Sequence, residues 1–371
     1  VHGAMDYVVI KYKVGSGDWT YCENALPGNN LPAGTGEVMQ TFNWTVPNDL
    51  GNNNVLIRVC NKDNENIYDE SDVPISIKGT ITVGEPHLNE ILKVTDAGAG
   101  NTKVITWTTF GSIAGTADIR LSLDGGSTWP VLLTEGVVNI ATPRTYEWTV
   151  LPSHISDNVK IKVAQDGDED LTTGTAGASA LFKVIPYLNL TYPTSTGISK
   201  FVGDPLNITW TANPTTFGTV ELRWDGNSGA DEYPGFIVNG VNASVGAYEW
   251  TIPDVAGIVG QQARIKVYQT GKVNEVFSTS ENDFIIRGTI TLTRPSTNAG
   301  DPVLTWLCGT EEPINWDVTG QLGTVNLFYS KDGGNDLFIN IIDNSNTIAA
   351  GTGNGSWTWT LPVNNSPFKA G

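Results

Sequence analysis

The stretch Tyr248-Glu249-Trp250-Thr251-Ile252-Pro253 places two rings and one aliphatic side chain at alternate positions, and it closes on proline. Successive side chains of a β-strand point to opposite faces, so this is the pattern of a half-buried strand. Proline brings no N–H to a ladder and ends it. The same wording recurs as FNWTVP (Phe42–Pro47), YEWTVLP (Tyr146–Pro152) and WTWTLP (Trp357–Pro362). A motif written four times is a repeated active site, a repeated ligand platform or a repeated piece of core.

Working outward from it, the motif tryptophans Trp44, Trp148, Trp250 and Trp359 are spaced by 104, 102 and 109 residues. Other markers keep the same interval. Ile-x-Trp appears at Ile105–Trp107, Ile208–Trp210 and Ile314–Trp316, and Ile-basic-Val at Ile57–Val59, Ile161–Val163 and Ile265–Val267. A strand-to-turn element recurs as VGSGDW (Val14–Trp19), LSLDGGSTW (Leu121–Trp129), LRWDGN (Leu222–Asn227) and YSKDGGN (Tyr329–Asn335). Its Asp-Gly and Gly-Gly pairs suit turns that need positive φ. A fixed period of this size marks a tandem array.

In the second repeat strands are expected near 80–83, 103–108, 117–123, 131–134, 145–150, 159–164 and 180–185. Seven short strands in about a hundred residues predict an all-β fold of tandem immunoglobulin-like antiparallel sandwiches. The repeats run 1–78, 79–185, 186–287 and 288–371. The first is expected to lack its first two strands and the fourth its last two, as in a window on a longer repetitive chain. With almost no linker at Lys78/Gly79, Ile185/Pro186 and Arg287/Gly288, the array is expected to be stiff.

Composition narrows the function. The chain has 371 residues and a net charge of −18, from 39 Asp and Glu against 21 Lys and Arg. Nucleic-acid affinity rests on neutralising phosphates with basic residues, so no nucleic-acid partner is expected. No apolar run approaches the roughly 20 residues of a spanning helix, so no membrane insertion is expected in this segment. Three cysteines, Cys22, Cys60 and Cys308, are too few for a disulfide scaffold.

The third repeat reads LTYPTSTGISKFVGDPLNITW (190–210), VELRWDG (220–226), GAYEWTIP (246–253), ARIKV (263–267) and STSENDFII (278–286). This order resembles the Kre9/Knh1-like, Ser-Thr-rich GPI-anchored cell-wall family of Ig-like domains, also found in tandem in large bacterial surface proteins. The resemblance implies an extracellular or cell-wall setting and brings no catalytic residues. No Ser/Thr-rich tail or anchor signal of the fungal form is present.

Candidate sites are few. Only His2, His87 and His154 offer imidazole, and no nucleophile elbow, HExxH or CxxC occurs, so no enzyme is expected. Asp166, Asp168 and Asp170 alternate as in an oxygen-rich Ca²⁺ loop, against the plainer reading of a solvated acidic loop. An EF-hand is excluded, because Gly177 stands at the twelfth position. Asp63, Glu65, Asp69, Glu70 and Asp72 form a comparable cluster in the first repeat, whereas the third has Lys272 and Glu275 there. Cys22 and Cys60 share a repeat, and either a bridge or two free thiols fits. Trp44, Trp107, Trp148, Trp210, Trp250, Trp316 and Trp359 alternate with polar residues and read as core. Trp19, Trp129 and Trp224, near a turn, are the candidates for exposed rings that hold a ligand. Sequons stand at Asn43, Asn189, Asn207, Asn242, Asn354 and Asn364.

The expectation is therefore a non-enzymatic, extracellular stalk, sheath or filament without cofactors, calcium aside, whose partners are copies of itself or neighbouring repeats. An adhesin-type or cell-wall polysaccharide-binding array is the alternative.

Overall fold

The computed structural model describes residues 5–23, 29, 31–34, 39–50, 52–95, 101–140, 144–171, 174–295, 304–330, 334–335, 339–341, 348–350, 353–361 and 363. Among the described residues the chain is all-β apart from two single 3₁₀ turns, and it divides into two compact units, Val1–Ile185 and Pro186–Gly371.

The first unit opens with β1 (Tyr7–Val14), β2 (Thr20–Tyr21), β3 (Leu31–Pro32), β4 (Asn52–Asn61), β5 (Tyr68–Glu70) and β6 (Ile75–Ile77). They form one sheet in the order β2-β1-β4-β5, with β3 on β1 and β6 on β4. The second repeat supplies β7 (Thr80–Glu85), β8 (Ile91–Lys93), β9 (Asn101–Phe110), β10 (Thr116–Ser122), β11 (Val131–Asn139), β12 (Thr145–Val150), β13 (Ser156–Gln165), β14 (Ala176–Ala178) and β15 (Phe182–Ile185). These make a small sheet, β12-β9-β7, and a large one, β11-β10-β13-β15-β8, with β14 on β13. Ile105, Trp107 and Trp148 from the small sheet are buried with Ile119, Ile161, Val163 and Phe182 from the large one. The Trp148 and Phe182 rings meet edge-on at 6.2 Å. This is an immunoglobulin-like sandwich.

The second unit repeats the plan. It contains β16 (Tyr187–Tyr192), β17 (Ser199–Phe201), β18 (Pro205–Asn213), β19 (Thr219–Asp225), β20 (Gly235–Asn242), β21 (Ala247–Thr251), β22 (Gly260–Gln269), β23 (Phe277–Thr279) and β24 (Phe284–Arg287). The sheets are β16-β18-β21 and β17-β24-β22-β19-β20, with β23 on β22. The fourth repeat adds β25 (Thr289–Arg294), β26 (Glu311–Thr319), β27 (Thr324–Val325), β28 (Phe328–Tyr329), β29 (Ile339–Asn340), β30 (Ile348–Ala349) and β31 (Gly353–Thr360). Its sheet β25-β26-β31 is the counterpart of the small sheets, while β27 to β30 form two short ladders.

The tryptophans of the Ile-x-Trp marker are fixed in one way in every repeat that has them. Each indole N–H donates to a backbone carbonyl: Trp107 to Ile140 at 2.8 Å, Trp210 to Ala243 at 3.0 Å and Trp316 to Ala350 at 2.8 Å. A large ring can be buried there because its one polar atom is satisfied.

Several expectations need correction. The second repeat has two strands beyond the seven, β8 and β14, each three residues long. Three residues carry no readable alternation, and β8 is placed by parallel pairing with β15. In the first repeat FNWTVP keeps its alternation, with Phe42, Trp44 and Val46 half-buried, but it forms no strand. Its partner in the later repeats, β9 or β18, has no counterpart among the described residues of the first. Trp44 rests on Tyr12, with 4.9 Å between ring centres. In the fourth repeat Trp359 is likewise half-buried, against Trp306 and Tyr329. The Lys331–Gly333 turn, Pro362 and Asn364 lie outside the described residues.

Candidate functional site

Two constructions recur, and both join residues far apart in sequence. The first lies within each unit where one repeat meets the next. Gly79 and Gly111 cross so closely that a Cβ on Gly111 would lie 2.7 Å from Gly79 Cα, and a Cβ on Gly79 would collide with Ile113. Gly111 has φ +91°, and its N–H donates to Asn48 Oδ1 at 2.6 Å. In the second unit Gly288 and Gly320 cross in the same way: a Cβ on Gly320 (φ +88°) would lie 3.0 Å from Gly288 Cα, and one on Gly288 would collide with Leu322. The Gly320 N–H donates to Asp254 Oδ2 at 3.0 Å. Asn48 and Asp254 each directly follow the proline of the repeated motif. The motif's tail thus clamps the start of the following repeat. Lys78 adds an ion pair to Asp168 in the first unit, at 2.5 Å.

The second construction is a ring-on-cation cluster on the outer face of each large sheet. The basic residue of Ile-basic-Val stands between buried neighbours at Lys162 and Lys266, on the face opposite theirs, and between half-buried Ile57 and exposed Val59 at Arg58. Arg58 lies between the rings of Trp19 and Tyr68, 4.0 Å from each centre, and is paired with Glu70. Lys162 lies 5.6 Å from Trp129, and Lys266 lies near Phe277, Tyr233 and Tyr268. Cations over aromatic faces are held by the ring quadrupole. Glu169, beside Arg120 and Lys162, has its carboxyl pKa raised by hydrogen bonding to Asp118 and by burial, against the pull of the two cations. Sequence reading lists the basic marker and the turn rings separately; the loop path from β10 or β19 to the next strand brings them together.

The predicted ring candidates therefore separate. Trp129 is half-buried, its ring centre 5.6 Å from Lys162 Nζ. Trp224 is half-buried but turns inward and stacks on Trp250, with centres 6.5 Å apart. It shares the parity of buried Leu222 and belongs to the rim of the core.

The acidic loop does not gather its carboxylates. Asp168 accepts from Lys78 and from the Thr175 N–H at 2.9 Å, while Asp166 lies exposed beside Thr116 Oγ1 at 3.4 Å. Asp170 is exposed as well. Among the described residues, the one set of three metal-ligating groups that converges is Glu85, His87 and Glu90. Lys103 already spans it, 2.8 Å from Glu85 and 2.6 Å from Glu90. Hydrogen bonds from Lys103 and His87 hold the Glu85 carboxyl below its usual range. Lys103 thus serves as the shared counter-ion of both carboxylates in this surface cluster.

Cys22 and Cys60 are buried free thiols, and Cys308 is an exposed one. The Cys22 N–H donates to Ile10 O on one side of β1, and Cys60 stands opposite Val9 on the other. Two ladder spacings, about 9.5 Å, separate them, whereas a bridge needs Cα atoms within about 7 Å. Burial pushes the Cys22 thiol up to about 11. His154 is buried against Trp148, its Nδ1 accepting from the Leu151 N–H at 3.0 Å. Burial lowers its pKa.

The chain matches no family model and no curated protein. Among solved structures it is similar to fibronectin(III)-like modules of Clostridium thermocellum CbhA, at 19% identity and a TM-score of 0.20, covering 56% of this chain and 94% of that one. It is also similar to the N-terminal four Ig domains of Dscam1 isoform 6.44, at 12% and 0.28, covering 76% of this chain and 65% of that one. Sidekick-1 immunoglobulin domains 1–5 align at 12% and 0.25, over 95% of this chain and 68% of that one. At such scores the likeness carries no argument about function. Among the described residues no helix is long and apolar enough to cross a membrane.

Proposed function

We propose that this chain is a non-enzymatic, extracellular structural repeat protein, a component of a surface stalk, sheath or filament. The observation that supports this reading is the glycine-crossed junction, built twice from the same parts: Asn48, Gly79 and Gly111, then Asp254, Gly288 and Gly320. Evolving one sandwich needs no such clamp; keeping the direction between successive sandwiches does. A catalytic role would need converging nucleophile, base and oxyanion groups, and the clusters described above are ion pairs and ring contacts.

The test is the angular distribution between the two repeats of each unit, measured on single particles of the full chain. A narrow distribution that broadens in Gly79→Val, with each repeat still folded, is the expected result. A broad distribution in the unsubstituted protein would overturn the reading. The adhesin or polysaccharide-binding reading draws on a different observation, the outer face of the third repeat.

A further inference from the structure

On three large sheets the basic residue of Ile-basic-Val faces a second cation across the ladder, in the registers Lys11↔Arg58, Arg120↔Lys162 and Arg223↔Lys266. Like charges directly opposite destabilise a sheet unless an anion lies between them. The first two repeats supply that anion. Glu70 stands across from Arg58 and pairs with it, and Glu65 takes Lys11. In the second repeat the Glu169 carboxylate bridges both bases, 3.5 Å from Arg120 Nε and 3.9 Å from Lys162 Nζ.

The third repeat supplies none to Lys266. Thr279 stands across from it, where Glu70 stands across from Arg58. Val273 takes the place of Glu169; the alignment is anchored by Gln165 and Gln269, whose side-chain amides donate to Ala114 O and Phe217 O. Arg223 is engaged by Glu221 at 2.6 Å and by Tyr268 Oη at 3.1 Å. Among the described residues Lys266 makes no hydrogen bond or ion pair. It sits 4.6 Å from the Phe277 ring, 5.7 Å from Tyr233 and 5.9 Å from Tyr268. Its pKa is lowered by desolvation, which the more distant charge of Glu232 does not offset. A half-buried cation without a counter-ion is costly.

As the acid is lost, rings are gained. The pair Tyr268↔Phe277 replaces Ala164↔Ala176 of the second repeat. Phe236, across from Arg223, is 59% exposed, and Phe277 is 40% exposed. The face therefore offers two cations short of one carboxylate, flanked by two open rings.

We propose that this face binds an acidic polysaccharide, with Lys266 and Arg223 taking a uronate carboxylate where Glu169 lies in the second repeat, and Phe277 and Phe236 carrying the apolar faces of the sugar rings. An acidic peptide would satisfy the cations and leave both rings unused. The net charge of −18 opposes a polyanion only within the screening length, about 8 Å at physiological ionic strength. This inference is independent of the structural role proposed above.

The experiment is calorimetric titration of the full chain with polygalacturonate oligomers, their methyl esters and poly-glutamate, at low and physiological salt. Polygalacturonate is expected to bind, more weakly as salt rises. Lys266→Gln should weaken it about tenfold or more, as expected for one charge-assisted contact. Lys266→Arg should retain binding, Phe277→Ala should weaken it, and Arg58→Gln should leave it unchanged. Amide shifts of the unsubstituted chain should fall on β19, β22 and β23, which locates the site even where a variant misfolds. The proposal is overturned by no binding, by ester or poly-glutamate binding as tight as polygalacturonate, or by shifts elsewhere. A folded Lys266→Gln that binds like the original would also overturn it.

Discussion

Trp107 and Trp148 are matched in setting. Both belong to the second repeat, both are 2% exposed, and both lie in its small sheet. Replacing either with phenylalanine removes a similar amount of indole packing. They differ in one atom: Trp107 Nε1 donates to Ile140 O at 2.8 Å, whereas Trp148 Nε1 is buried with no partner. Trp107→Phe forfeits a hydrogen bond and strands a buried carbonyl, a loss of about 1–3 kcal/mol beyond packing. Trp148→Phe deletes an unsatisfied donor and so recovers part of its packing loss. Trp107→Phe should therefore be the more destabilising, by roughly 2 kcal/mol. At about 2–4 °C per kcal/mol for a unit of this size, the two melting transitions should separate by roughly 4–8 °C. Because both positions share a repeat, they shift the same transition. Urea titrations followed by far-UV circular dichroism should show the difference in midpoint at a common m-value. Equal destabilisation, or a greater loss in Trp148→Phe, would refute the assignment of the Trp107 hydrogen bond as the repeat's anchor.

Thiol labelling of the native chain should modify Cys308 alone, and all three cysteines after denaturation; oxidation should close no Cys22–Cys60 bridge while the fold persists. A native disulfide between them, seen as a mass lower by two hydrogens and as two thiols lost to labelling after denaturation, would contradict the strand placement. His154 makes stability pH-dependent with a defined sign. Its folded pKa lies below the ordinary 6.5, so the unfolded chain takes up the proton first. Its contribution is full above pH 6.5 and declines as the pH falls from there toward the folded pKa. His154→Asn keeps an acceptor for the Leu151 N–H and should flatten that slope in denaturant midpoints measured across the range; an unchanged slope would assign it to other groups.

Much of the fold is legible in the sequence because the signal is local. The alternation in YEWTIP needs only the period of a strand, and it survives even at Phe42–Val46, where no ladder forms. Strands of three residues, β8 and β14, were not legible, since their pairing partners place them. The candidate site was legible only in pieces. Ile-basic-Val and the ring after the strand-to-turn element are visible as repeat markers, but nothing in their spacing says that Trp129 meets Lys162 or that Trp224 turns inward to Trp250.

The sequence by itself determined the all-β class, the repeat and the inward rings, because side-chain alternation and turn chemistry are decided within a few residues. Only the tertiary structure decided that Cys22 and Cys60 flank β1 without meeting, that Asn48 and Asp254 clamp the following repeat through Gly111 and Gly320, and that Lys266 faces Thr279 and rings instead of an ion-pair partner. Each depends on sheet register and on the path of a connecting loop, and those are set by packing between strands dozens of residues apart.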